Sequence, residues 1–363
     1  RGPAPSMSGD AHRTDDVRVS DLQPLISPAI LAAEIPVSAR AAGVVTAARR
    51  EIEQILSGES ARLLAVVGPC SIHDPDAARE YAALLHATAT ELRDDLLVVM
   101  RVYFEKPRTH VGWKGLISDP DIDGTFRINR GLRVGRELLA DLAELGLPAG
   151  SEFLDTISPQ FFADLVSWGA IGARTAESQV HRELASGLSM PVGFKNSTSG
   201  DLEPAIHAVG AAQHPHRFLS VTKQGISAIV ATRGNPSCHL ILRGAHGGPN
   251  HDEASVRGAA ARLGELGLRT RLMVDCSHGN SRKDHARQPG VAAEVARQLR
   301  AGSEVIAGVM VESNLVEGRQ APEASPRVHG VSITDACLGW GDTVPVLEDL
   351  AAAVRARREA SVS

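Results

Sequence analysis

The sequence predicts an α/β protein: a (β/α)8 TIM barrel with an N-terminal extension and an inserted β-hairpin. Three observations predict it. Short, nearly continuous apolar runs recur between residues 63 and 313, as parallel strands covered on both faces require. An amphipathic segment of helix length follows each run. Each run also ends near a polar side chain, and barrel enzymes place their chemistry at the carboxyl ends of the strands.

Residues 1–14 are polar and lack periodicity, and read as a disordered leader or tag remnant. Residues 15–60 read as a regulatory or oligomerisation extension, with the catalytic barrel over 61–363. Within the extension, Val17 to Leu31 suggests a short strand and a helix broken by Pro24, Pro28 and Pro36. Ser38–Leu56 has helical spacing and stops at Gly58. The strand candidates are Leu63–Val67, Leu96–Val102, Gly150–Leu154, Ala170–Ala173, Val192–Phe194, Cys238–Leu242, Leu272–Val274 and Val305–Val311. Between them Asp76–Leu92, Asp201–Ala212, Glu253–Leu266 and Val291–Leu299 read as helices, and Asp74-Pro75 supplies an N-cap with proline at the first helical position. The hairpin is expected at about 218–234, turning at Gln224-Gly225. Val344–Arg358 reads as a closing amphipathic helix. The competing arrangement, an open doubly wound sheet, predicts glycine-rich phosphate turns, and neither G-x-G-x-x-G nor a Walker A sequence occurs.

Composition narrows the function. Of 363 residues, 43% are hydrophobic and 22% charged, which is enough to bury a core. With only 7 Phe, 3 Trp and 2 Tyr, that core must be aliphatic. A net charge of −5 argues against a nucleic-acid partner. Four cysteines do not make a disulfide scaffold and point to a reducing compartment. No apolar run reaches the roughly 18 residues of a membrane-span candidate. These features lead to the expectation of a cytoplasmic protein with no membrane partner.

Read at the strand ends, the side chains are Cys70, Arg101, Glu152, Arg174, Lys195, Arg243, His278 and Glu312. Arg101, Arg174, Lys195 and Arg243, joined by Lys106 and Arg108, make six cations in an acidic protein. Such a set suits substrates carrying two phosphates and a carboxylate, since arginine forks match these oxygens and lysine acts as a point charge. Cys70, His278, Glu312 and Asp335 offer thiolate, imidazole and carboxylates, a donor set for one divalent transition ion: Mn, Fe, Co, Zn or Cu. The spacing of these four is not local, so a buried cysteine and a core histidine remain the alternative.

The stretches GPCSIHD (68–74), RVYFEKPRT (101–109), GWKGLISDPDIDGTFRINRGL (112–132), SEFLDTISPQ (151–160), CHLILRG (238–244), DCSHGNSRKDH (275–285), GVMVESNLVEGRQ (308–320) and SITDAC (332–337) closely resemble the microbial, feedback-regulated type I 3-deoxy-D-arabino-heptulosonate-7-phosphate (DAHP) synthases. The resemblance runs from about residue 15 to 358. It implies a metal-dependent transferase that condenses phosphoenolpyruvate with D-erythrose 4-phosphate and water to DAHP and phosphate, opening the shikimate pathway to aromatic amino acids. By the matching motifs Cys70, His278, Glu312 and Asp335 bind the metal. Arg101, Lys106, Glu152, Arg174, Lys195 and Arg243, with the backbone of Gly172 and Ala173, surround phosphoenolpyruvate. Lys106, Pro107, Arg108 and Thr109 hold the aldose phosphate. The catalytic roles fall to Lys106, Glu152, Arg174 and Lys195.

The resemblance also implies feedback by an aromatic amino acid, phenylalanine favoured, at Asp15, Asp16, Pro159, Gln160, Leu184, Leu188, Ser189, Phe218, Ser220 and Val230. A homodimer or homotetramer is expected. Two departures from the family stand out: His110 after KPRT, and GAHGGPNH at 244–251, slightly longer than the common form. The rival readings are 3-deoxy-D-manno-octulosonate 8-phosphate synthase, which shares the phosphoenolpyruvate chemistry, a silent allosteric subunit, and a paralogue running the same reaction in specialised metabolism.

Overall fold

The computed structural model describes residues 14–107 and 112–360. Eight parallel strands close into a barrel: β1 (Leu63–Gly68), β2 (Leu96–Arg101), β3 (Ala149–Glu152), β4 (Trp168–Ile171), β5 (Val192–Lys195), β8 (His239–Leu242), β9 (Leu272–Asp275) and β10 (Ile306–Glu312). β10 returns to pair with β1, and the fold is the (β/α)8 barrel the sequence predicts. β6 (Arg217–Val221) and β7 (Ser227–Ala231) form the inserted antiparallel hairpin, with Gly225 at φ +80° in the turn.

The strands lack a polar face because both faces are covered. Leu63, Ala65 and Val67 of β1 join the outer core beneath the helices, while Leu64 and Val66 point into the barrel. Leu97 and Val99 of β2 alternate against Leu96 and Val98 in the same way. Trp168, Ile241, Met273 and Met310 complete the inner packing. Helix α2 (Ala39–Ser57) sends Ile52, Ile55 and Leu56 into this inner cluster, so the second half of the extension forms the barrel's floor. It starts on the Ser38 cap and stops at Gly58, whose left-handed φ of 87° suits a glycine.

Around the barrel lie α3 (Pro75–Glu91), α4 (Ile128–Leu145), α6 (Gln179–Gly187), α7 (Glu203–Ala212), α8 (Glu253–Glu265), α9 (Gln288–Arg300) and α10 (Trp340–Ala360). The short α5 (Pro159–Phe162) sits between β3 and β4. Asp74 caps α3 as expected, accepting from the amides of Asp76 and Ala77 at 3.0 and 3.1 Å.

Two expectations are corrected. The strand read near Val17–Leu25 is absent: residues 14–27 run without regular structure before α1 (Pro28–Glu34). The closed barrel offers no free edge, and this segment pairs with neither strand of the hairpin. This segment is instead pinned by Asn129, which accepts from Ile26 N and donates to Pro24 O. The fourth strand begins at Trp168, two residues before the expected Ala170, because the pairing of Gly150 with Trp168 sets its register. Among the described residues no single helix is long and apolar enough to cross a membrane.

If the floor is part of the barrel core, Ile52→Ala should lower the unfolding free energy by about 2–5 kcal/mol, the usual cost of a large-to-small core change. A urea melt followed by circular dichroism reads it, and a shift within error of wild type would contradict that packing.

Candidate active site

The carboxyl ends of the strands deliver their side chains to one cavity of about 890 Å³. Arg101, Glu152, Lys195 and Glu312 are the last residues of their strands, and Arg243 follows β8 directly. Arg174 and His278 each sit three residues past theirs. All seven line the cavity with Lys106, Pro107, Gly172, Ala173 and Asp335. Cys70 lies behind this lining, fully buried. Arg108, Thr109 and His110 lie outside the described residues.

Two buried charge pairs organise the floor of the site. Arg101 Nη2 lies 2.9 Å from Glu312 Oε1, both side chains almost wholly buried. Its Nε and Nη2 donate to the carbonyls of Pro69 and Cys70 at 3.0 and 3.1 Å, and the guanidinium stacks 3.7 Å over the Tyr103 ring. Gln288 clamps the backbone of Glu312 from both sides, and Ser277 Oγ donates to Glu312 Oε2 at 2.8 Å. Burial pushes the Glu312 carboxyl up, but His278, Arg101 and Lys106 outweigh it and hold it below the usual carboxylate range. In the second pair Asp275 Oδ2 lies 2.9 Å from both Lys195 Nζ and His278 Nδ1. Burial opposes its charge too, yet His278 and Lys195 keep it well below the ordinary value.

The expected metal ligands converge. Donor atoms of Cys70, Glu312 and Asp335 all lie within 4.8 Å of one another. His278 stands at the edge of this group, Nε2 3.8 Å from Glu312 Oε1, on a left-handed backbone at φ 54°. Glu312 Oε1 is buried, with the Arg101 guanidinium on one side at 2.9 Å and His278 Nε2 on another at 3.8 Å. Thiol, imidazole and carboxylates around a buried acceptor fit a divalent transition ion. Lys106 Nζ sits among them, 2.9 Å from Cys70 Sγ and 2.8 Å from Asp335 Oδ2. Burial opposes the Lys106 charge, but Cys70, Asp335 and Glu312 raise its pKa, so the ammonium stays protonated. Burial, with Glu312 next, pushes the Cys70 thiol up to about 11.

Arg174 and Arg243 are the less committed cations. Their guanidinium contacts are a 3.5 Å approach of Arg174 Nη1 to Pro107 O and a 3.5 Å approach of Arg243 Nη1 to Gly244 O. Neither has a carboxylate partner among the described residues. Beside them a Cβ on Gly172 would stand 2.3 Å from Glu152 Oε1, so a side chain there would displace that carboxylate.

Sequence reasoning missed several participants. Asp275 was passed over because His278 was taken as the functional end of its strand; an aspartate closing an otherwise apolar strand was the available signal. Tyr103 lines the cavity with a buried hydroxyl that has no hydrogen bond. Gln288, at the start of α9 just after the 275–285 motif, carries no local signal of its contact with Glu312.

The expected effector residues also gather. Pro159, Gln160, Leu184, Leu188, Ser189, Phe218, Ser220 and Val230 line a separate cavity of about 400 Å³ between α5, α6 and the hairpin. Arg49 and Lys223 line it too and were not anticipated. Asp15 and Asp16 do not line it: they lie exposed on the irregular first segment, which no strand carries to the hairpin within this chain.

Between the two cavities Glu105 is half-buried, with Ser158 Oγ 3.5 Å away. Burial, then Asp155 and Glu152, push its carboxyl from an ordinary 4.5 up to about 8. Below pH 4.5 folded and unfolded states both carry this proton. Between 4.5 and 8 the unfolded chain loses it first, so Glu105 makes stability fall as pH rises. Glu105→Gln should remove a fall on the order of 2 kcal/mol across pH 5–8, read by urea melts at several pH values. An identical slope in both proteins would refute the raised carboxyl.

Comparison with known proteins gives a consistent result. Residues 34–348 match the DAHP synthetase I family. The chain is 56% identical over 348 residues to the Phe-sensitive phospho-2-dehydro-3-deoxyheptonate aldolase of Escherichia coli K12, covering 96% of this chain and 99% of that one. It is 54% identical over 355 residues to the tyrosine-inhibited phospho-2-dehydro-3-deoxyheptonate aldolase of Schizosaccharomyces pombe, covering 96% and 95%. The solved phospho-2-dehydro-3-deoxyheptonate aldolase of Francisella tularensis SCHU S4 superposes with a TM-score of 0.92 at 51% identity, over 94% of this chain and 99% of that one.

Proposed function

The chain belongs to the DAHP synthetase I family, and on that premise we propose that it condenses phosphoenolpyruvate with erythrose 4-phosphate, releasing phosphate. The observation that carries this reading is the pairing of a cationic rim with a thiol–imidazole–carboxylate cluster in one cavity.

Arg174, Lys195 and Arg243 take the phosphate of phosphoenolpyruvate, two of them being free of carboxylate partners. Arg101 and Lys106 face its carboxylate. C3 of the enol phosphate attacks the aldehyde carbon, positive charge develops at C2, and a water oriented by Glu152 captures it. Lys106 donates the proton to the new hydroxyl, its ammonium being held protonated by Cys70 and Asp335. Tyr103, whose hydroxyl is the uncommitted polar atom beside Arg101, helps orient the bound carboxylate.

Cys70, His278, Glu312 and Asp335 would hold one divalent transition ion, and its chemistry when bound is Lewis-acid polarisation of the aldehyde oxygen or activation of water. The Lys106 ammonium shares Cys70 and Asp335 with that site, so ion and lysine compete for the same two partners. Arg108 and Thr109 complete the aldose-phosphate grip by their motif.

The extension and hairpin support an assembly of two or four copies. Leu219 and Ile229 on the hairpin are 81% and 76% exposed, and Leu22 on the first segment is 80% exposed. The effector cavity takes an aromatic amino acid, phenylalanine favoured, with a hydrophobic wall of Leu184, Leu188, Phe218 and Val230.

A coupled phosphate-release assay tests the reaction. Release should require both substrates and a divalent ion, stop with chelator, and not proceed with arabinose 5-phosphate in place of erythrose 4-phosphate. Lys106→Met should lower turnover by more than about tenfold, equivalent to about 1.4 kcal/mol of barrier. Release supported by arabinose 5-phosphate alone would favour the octulosonate synthase instead. Phenylalanine should inhibit, and Ser220→Ala should change which aromatic amino acid inhibits best; indifference to Phe, Tyr and Trp alike would remove the effector assignment.

A further inference from the structure

A second cavity, of about 370 Å³, adjoins the active site. Arg243, His246 and Lys283 face both spaces, so the two cavities share a wall. Arg282 adds a third full cation, and no carboxylate lines this space among the described residues. Arg243 is only 7% exposed, with no ion-pair partner among the described residues. Arg282 and Lys283 are exposed, and their side chains make no ion pair or hydrogen bond among the described residues. The neighbouring Asp284 is already taken by Arg287 at 3.1 Å.

The walls are rigid. Gly244 and Gly279 bring the loops after β8 and β9 into backbone contact: a Cβ on Gly244 would stand 2.3 Å from Asn280 N, and one on Gly279 2.4 Å from Ala245 N. Asn250 Oδ1 accepts from Gly244 N at 2.7 Å, and Asn280 Oδ1 accepts from Asn250 N at 2.7 Å. Lys283 N donates to His278 O at 2.7 Å, holding a turn in which Arg282 and Lys283 both have left-handed φ, 55° and 62°. One wall is the 244–251 stretch whose length departs from the family's common form.

We propose that this cavity is a second anion site, built for inorganic phosphate, through which the phosphate released by the reaction leaves. The inference rests on the synthase reading above. In the last step the hemiketal C2–O bond to phosphorus-bearing oxygen breaks, and its electron pair leaves with the phosphate. The hemiketal hydroxyl becomes the ketone and its proton goes to the departing phosphate, so no further reactant is needed. The product anion carries about one and a half negative charges at neutral pH. It is released against Arg243, and Arg243 is the side chain that also faces the second cavity. Arg282 and Lys283 then draw the anion outward by a field with no opposing carboxylate in the lining.

Calorimetric titration of inorganic phosphate into the metal-loaded enzyme saturated with phosphoenolpyruvate tests this. A phosphate site should persist with the main site filled. It should weaken by at least about tenfold in the Arg282→Ala/Lys283→Ala double variant and recover with Arg282→Lys. Product inhibition by phosphate should be mixed against phosphoenolpyruvate in wild type and purely competitive in the double variant. No phosphate binding in the presence of phosphoenolpyruvate, or equal affinity in the double variant, overturns the proposal. Displacement of phosphate from this site by erythritol 4-phosphate also overturns it, because the site would then serve a sugar phosphate. The titration does not depend on turnover, so failure to form DAHP would sink the synthase reading separately.

Discussion

The structure depends on placing opposite charges together at the buried ends of the strands. Asp275 on β9 faces Lys195 on β5 and His278 in the following loop. Arg101 on β2 faces Glu312 on β10. Any one of these charges buried alone would cost several kcal/mol. Together they tie strands that are separated by one intervening strand, β8 in one case and β1 in the other, at the carboxyl end of the barrel. The same burial makes them strong electrostatic elements, because little water screens them.

This arrangement sorts the cations by task. Arg101, Lys106 and Lys195 are committed to protein anions, which fixes their positions before a substrate arrives. Arg174 and Arg243 have no such partner among the described residues and present their charge to the cavity. Preorganised and uncommitted charge thus sit side by side, the combination an anionic substrate needs if little of its binding energy is to be lost in ordering side chains. The thiol of Cys70 follows the opposite logic: burial and neighbouring carboxylates keep it protonated until a stronger cation than Lys106 reaches it.

The active-site cavity and the smaller cavity beside the hairpin meet across one short segment. Glu152 ends β3 in the active-site lining, and Pro159 and Gln160, at the start of α5, line the smaller cavity. Between them Asp155 accepts from the amides of Ile157 and Ser158, while Ser220 on the hairpin donates to Thr156 O at 2.8 Å. Glu105, next to Lys106, packs against the same segment.

The sequence by itself determined the repeating units, the helix cap at Asp74, the helix stop at Gly58, the hairpin turn at Gly225, and the side chains at the strand ends. These are local properties: periodicity, capping chemistry and the alternation of apolar runs with polar stops are encoded within a few residues. It also carried the motifs by which the ligand and effector sets could be named. Only the tertiary structure decided which of those side chains are paired. Gln288 reaches Glu312 on β10 and Asp275 reaches Lys195 on β5, contacts that no local pattern marks. It also decided that residues 14–27 form no strand: they are held through Asn129, which binds Ile26 N and Pro24 O, rather than by pairing with a sheet. The second basic cavity belongs to the same class, because it exists only where two loops meet at Gly244 and Gly279.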